Sequence, residues 1–239
     1  MTNPINLNLS EFSTELNARI AKYDLLCHPY YQAWSQGTLS RDQIKGYAQD
    51  YYHHVAAFPD YLETFQQRLA DKETKELVLE HKADEEGAQA KDKRSHAEVW
   101  LDFVEGMGGD RSAAKSHTPL PEIQSLIKEF EKVAATGSKA EALAAFYAYE
   151  SQVPRVAKEK ARGLKEFYNA DARTSYYFTI HQTFDVLHSE SWLKALTDEI
   201  GNDAQKREAA LASAENAAKT LWQALDGVER ARQLSVRGN

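Results

Sequence analysis

Residues 176–192 read YYFTIHQTFDVLHSESW, and the set His181-x3-Asp185-x2-His188 within that stretch decides how the chain is read. At about 100° per residue, these three side chains leave one face of an α-helix within an arc of about 60°. Two imidazoles and a carboxylate on one face make the ligand set of a redox-active, non-haem iron or manganese site. The competing reading is a polar, partly solvated stripe or an internal hydrogen-bond network. The rest of the chain has to choose between them.

Outward from this helix, nearly every segment repeats its apolar residues at helical rather than alternating spacing. Phe12, Leu16 and Ile20 recur every four residues, and a short segment from Pro29 carries Tyr30, Tyr31 and Trp34 before Gly37. Ser40-x-x-Gln43 reads as a capping box that opens a long helix through Tyr47, Tyr51, His54 and Phe58, with a bend expected at Pro59. A charged segment follows over 72–87, then a helix over 96–108. Residues 109–121 read as loop. Helix resumes to about Ala135, and a second capping box, Ser138-x-x-Glu141, opens the helix that carries Tyr147, Tyr149 and Glu150. The pattern predicts an all-α bundle, one domain over residues 1–239, with no internal repeat.

Composition narrows the function. A chain of 239 residues, 42% hydrophobic, can bury a core and an internal cavity. A net charge of −7, with no block of lysine or arginine, argues against nucleic acid as a partner. No apolar run reaches the ~20 residues of a membrane span, and the N-terminus lacks the features of a signal peptide. Cys27 is the single cysteine, which excludes a disulfide framework, a thiolate zinc site and an Fe–S cluster. A reducing cytoplasm is the expected location.

A dinuclear site needs about six carboxylate and imidazole ligands. The ferritin-like Glu-x-x-His arrangement is absent, because no histidine has a glutamate three residues before it. Glu150, in FYAYESQVPRV, is a carboxylate among aromatic and small residues, and burying it requires a partner. Pro154 leaves the carbonyl of Glu150 without its helical donor, so a bend is expected there. An ion pair with Arg155 or Lys160 is the alternative explanation for Glu150. Glu85 and His96 are further candidates. On an unbroken helix they would stand ~16 Å apart, so both reach one cluster only if residues 87–95 are looped. His81 and His117 read as surface residues, His53 and His54 as core or as supports for ligands, and His28 as a helix start.

The blocks HPYYQAWSQG, IKGYAQDYYHHVAAFPDYL, ADEEG, AFYAYESQVPRVAKEKARGL and YYFTIHQTFDVLHSE together resemble the CADD proteins, named for association with death domains. These are haem-oxygenase-like di-metal oxidases related to TenA and PqqC, and the resemblance runs from about His28 to Trp192. It implies a compact bundle of about seven helices without haem. It also implies two metal ions, Fe/Fe or Mn/Fe, held by Glu85, His96, Glu150, His181, Asp185 and His188. Residues 85–96 are four longer than the family pattern, so Glu86, Asp92 and Glu98 stand as alternatives to Glu85.

The activity implied by the resemblance is formation of p-aminobenzoate, the aromatic part of folate, with O2 and an external reductant. The ring comes from the protein's own tyrosine, which matches Tyr31, and the nitrogen from a lysine matching Lys160. Tyr47 matches another tyrosine near the centre. A homodimer is the assembly the resemblance suggests. Two other functions stand beside this one: a PqqC-like oxidase that works without metal, and a non-catalytic protein-interaction module.

Overall fold

A computed structural model of the chain describes residues 8–88, 90 and 93–237. Among the described residues every regular element is helical, so the all-α expectation holds. The helices are α1 (Leu9–Ala21), α2 (Pro29–Ser35), α3 (Arg41–Gln67), α4 (Lys72–Glu85), α5 (His96–Gly106) and α6 (Arg111–Ser116). They continue as α7 (Pro121–Thr136), α8 (Lys139–Glu150), α9 (Val153–Tyr168), α10 (Tyr176–Ile200) and α11 (Ala204–Arg237). No described helix is long and apolar enough to cross a membrane.

Local chemistry sets these boundaries. Both capping boxes form: the Ser40 and Ser138 side chains accept from the N–H groups of Gln43 and Glu141, whose side chains accept from the capping backbone in return. Helix α3 continues through Pro59 to Gln67. The loop expected over 109–121 instead contains α6, nucleated by Asp110, whose side chain accepts from the Ala113 N–H. Helix α8 ends at Glu150 and the chain becomes helical again at Val153, where Pro154 occupies the first turn and has no N–H to give.

Helix α8 is buried almost all round, packed against α10 and α11. Helix α10 packs on α8, α9 and α5, and α4 packs on α3 and α10. Three fully buried tryptophans pin this arrangement, each with its indole N–H satisfied as burial demands. Trp100 donates to the Ala48 carbonyl at 2.7 Å, Trp34 to the Lys160 carbonyl at 3.3 Å and Trp192 to Glu150 Oε2 at 2.8 Å. Gly163 allows the second of these contacts, since a Cβ there would lie 2.8 Å from the Trp34 ring. The α9–α2 seam so formed carries Lys160 and Tyr31 into the interior.

Candidate metal centre

The end of α8, the end of α4, the start of α5 and the middle of α10 meet inside the bundle. Glu85, His96, Glu150, His181, Asp185 and His188 are all buried there. Glu85 Oε2 lies 2.9 Å from His96 Nδ1, and Glu150 Oε2 lies 3.7 Å from His188 Nδ1, which is 3.8 Å from Asp185 Oδ1. Because α4 stops at Glu85 and α5 begins at His96, the two residues are not carried on one unbroken helix. Gly87, at φ +80°, lies so close to the Arg94 carbonyl that a Cβ would meet it at 2.2 Å. The alternatives to Glu85 point elsewhere: Glu86 pairs with Lys82, and Glu98 with Arg111 and Lys115. Asp92 lies outside the described residues.

The ion-pair explanation of Glu150 fails. Arg155 pairs with Asp24 at 3.0 Å, and Lys160 Nζ donates to Tyr47. Glu150 instead faces a histidine that sequence reasoning assigned to the surface. His81 is 3% exposed, and its Nδ1 lies 3.8 Å from Glu150 Oε2. Donor atoms therefore form two buried groups, Glu85–His96–His181 and His81–Glu150–His188, each within a 4.8 Å span. His81 looked exposed because α4 is mostly charged. Its buried stripe, Thr74–Val78–His81–Glu85, has helical spacing and was the available signal.

The electrostatics suit a cation and oppose its absence. Burial, followed by the charge of Glu85, pushes the Glu150 carboxyl well above the usual carboxylate range; burial, followed by Glu150 and Glu85, does the same to Asp185. Burial lowers His181 to about 3, with His96 adding to the shift, and lowers His81 to about 3, with His188 adding. Both rings are therefore neutral, as metal ligation requires. For Glu85, burial opposes ionisation, but the neighbouring His96 outweighs it and holds the carboxyl at about 2. His96 is raised in turn, Glu85 prevailing over burial. Nδ1 of His81 and His188 and Oε1 of Glu150 are buried without a hydrogen-bond partner, while His96 Nδ1 rests on Glu85 alone. Unpartnered imidazole nitrogens gathered with buried carboxylates fit a pair of dications.

A pH dependence follows for the metal-free chain. Glu150 and Asp185 keep protons when folded at pH values where the unfolded chain has released them. His96 also binds its proton more tightly when folded. These three groups give the metal-free folded chain protons that metal binding must displace, and their own contribution to its stability falls as pH rises above the ordinary carboxylate range; His81 and His181, neutral with and without metal, drop out of that comparison. Glu85, depressed to about 2, contributes only at lower pH. We expect the gap in melting temperature between metal-loaded and metal-free protein to widen from about pH 5 to about pH 8. A gap that stays constant over that range contradicts this electrostatic picture.

The other residues named from sequence gather beside this centre. Tyr31 and Tyr47 share a hydroxyl–hydroxyl hydrogen bond of 3.0 Å, and Lys160 Nζ donates to Tyr47 Oη at 2.5 Å. The same nitrogen sits 4.3 Å from the Tyr31 ring centroid and 4.5 Å from that of Tyr47. Burial alone pulls the Lys160 amine well below its usual pKa, and burial pushes both phenols well above theirs. Tyr31 and Lys160 line a small cavity together with Tyr51, Tyr149 and Tyr177. Tyr149 and Tyr177 also line the cavity bounded by Glu85, Glu150, His181 and Asp185, so they form the partition between the two. Tyr51, Tyr149 and Tyr177 are all buried. The sequence did not separate these three from the packing tyrosines. Cys27 is free and exposed.

An all-α bundle with carboxylates and histidines gathered at its centre defines a class, the haem-oxygenase-like non-haem metal oxidoreductases. Comparison narrows it. A family model described as iron-containing redox enzyme matches residues 45–222, and the chain belongs to that family. The chain is 37% identical to the 4-aminobenzoate synthase of Chlamydia muridarum over 80% of each chain. It is 32% identical to that of Nitrosomonas europaea, over 91% of this chain and 90% of the relative. Its fold is shared with a haem-oxygenase-like domain from Shewanella denitrificans at a TM-score of 0.80 and 18% identity, covering 98% and 97% of the two chains.

Proposed function

We propose that this chain is an O2-dependent di-metal oxygenase that forms p-aminobenzoate, taking the ring from Tyr31 and the nitrogen from Lys160. The observation that carries this reading is the buried Lys160 amine, which has no carboxylate partner in the hydrogen bonds and ion pairs of the described residues. It is held instead against the face of Tyr31. Burial pulls this amine's pKa down and so favours the uncharged form, whose nitrogen lone pair a surface ammonium group lacks.

Glu85, His96, Glu150, His181, Asp185 and His188 would hold the metal pair, and oxygen and nitrogen donors of this kind suit Fe/Fe and Mn/Fe alike. When bound, the pair supplies the oxidising equivalents of O2, with electrons from an external reductant. The protein's own residues do the rest. Tyr47 fixes the Tyr31 hydroxyl and the Lys160 amine through one oxygen, so phenol and amine are presented together. The rings of Trp34, Tyr51, Trp100 and Phe178 lie within 6.0 Å of the amine and exclude water from it. Tyr149 and Tyr177 border both the cavity of Tyr31 and that of the carboxylates.

A metal-free oxidase acting on an anionic quinone precursor is disfavoured because the cavity bounded by Glu85, Glu150 and Asp185 offers such a substrate acidic groups and no lysine or arginine. The same reading carries one domain over residues 1–239, a cytoplasmic enzyme and a homodimer; light scattering of the purified protein tests the last.

Isotopic origin tests the function directly. Protein made with ring-labelled tyrosine, loaded with iron and manganese and given O2 and a reductant, should release labelled p-aminobenzoate, at most about one molecule per chain. Repeated turnover, or product carrying no label, overturns the self-consuming reading.

A further inference from the structure

Six ligands account for the metal set expected from the sequence, yet the interior holds a seventh residue equipped as a donor. We propose that His81 is a protein ligand of the metal pair, through Nδ1, on the ion it shares with Glu150 and His188. The inference deepens the proposed function and rests on its reading of this cluster as a di-metal site.

Hydrogen bonding fixes which nitrogen of His81 carries the proton. Ser191 Oγ donates its one hydrogen to the His188 carbonyl at 2.7 Å. It therefore accepts from His81 Nε2, 2.9 Å away. Nδ1 is left as a bare lone pair, buried, with no hydrogen-bond partner. What it faces is Glu150 Oε2, another acceptor, at 3.8 Å. Trp192 already donates to that oxygen, at 2.8 Å. Two lone pairs aimed at one another in a dry interior repel unless a cation lies between them.

His188 repeats the arrangement. Its Nε2 donates to Asp84 Oδ2 at 3.1 Å, which turns a bare Nδ1 towards the same Glu150 oxygen at 3.7 Å. The two imidazoles stack with centroids 4.1 Å apart and an interplanar angle of 30°, their lone pairs on one side. Donors ~2.1 Å from a common ion stand roughly 3–4 Å apart, the spacing seen here. Each ring is also held by an outer partner, as ligating histidines commonly are. His81 and Glu85 stand four residues apart on α4, so one helix face serves both ions: Glu85 with His96 and His181, His81 with Glu150 and His188.

Cobalt(II) is a suitable probe because a ligating imidazole keeps its other N–H, whose proton signal the paramagnetic ion shifts strongly. Full-length protein loaded with two equivalents of cobalt(II) should show four shifted, solvent-exchangeable imidazole signals, one each from His81, His96, His181 and His188. His81→Leu should remove one signal and weaken one of the two binding events at least ~10-fold in calorimetric titration. Ser191→Ala should weaken the same event less and keep four signals. Three signals or fewer from the wild type overturn the assignment, whether or not His81→Leu folds, as does a His81→Leu protein with unchanged binding and spectrum. Loss of the proposed function would read differently: four signals and two bound metals, but no p-aminobenzoate from the iron- and manganese-loaded chain.

Discussion

Tyr31→Phe should reduce p-aminobenzoate formation to background while leaving the metal content of the purified protein unchanged. Tyr31 is 4% exposed, and the only hydrogen bond of its hydroxyl in the described structure is to Tyr47. Removing that oxygen costs about 1 kcal/mol of stability, too little to unfold the chain. A benzene ring in its place is far harder to oxidise than a phenol and has no oxygen at the carbon that must carry nitrogen in the product. Lys160→Met should behave alike, since it removes the amine while keeping a chain of similar length in the aromatic cage. Product measured by mass spectrometry after exposure to O2 and reductant, beside metal analysis of the same sample, separates chemistry from metal loss. If Tyr31→Phe makes product at the wild-type yield, Tyr31 is not the ring that is consumed, even if the metal centre stands.

Glu150→Gln carries the second large effect, and it runs in opposite directions with and without metal. The substitution keeps an oxygen for Trp192 to donate to and conserves the shape of the side chain. It removes one of three mutually repelling buried carboxylates. Metal-free Glu150→Gln should therefore melt at or above the metal-free wild type at neutral pH. The same variant should hold at least one metal fewer per chain and form no product, because an amide is a far poorer partner for a dication than a carboxylate. If Glu150 were instead an ordinary structural ion pair, the variant would melt lower and keep its metals. Calorimetric melting with and without metal distinguishes the two outcomes.

Much of the site was legible in the chain because it is written at helical spacing. His181, Asp185 and His188 share a face by arithmetic alone, and the aromatic surroundings of Glu150 marked it as buried. His81 was equally accessible to that arithmetic, four residues before Glu85, but the lysines and glutamates around it argued for solvent. Mean polarity misleads at a metal centre, since ligands count as hydrophilic wherever they sit. Tyr149 and Tyr177 were hidden for the converse reason: among twelve tyrosines, nothing local separates a partition between two cavities from ordinary packing.

The chain by itself determined the all-helical class, the two capping boxes, the break after Glu150 and the single face of α10, because each depends on residues within a few positions of one another. Only tertiary structure decided that Glu85 and His96 meet, since that turns on the break between α4 and α5 rather than on spacing. It likewise decided that Lys160 points at Tyr31 instead of solvent or Glu150. Periodicity reports which face of a helix is covered. What covers it is set by how the helices pack, and that packing brings distant donors and a buried amine into the same dry interior.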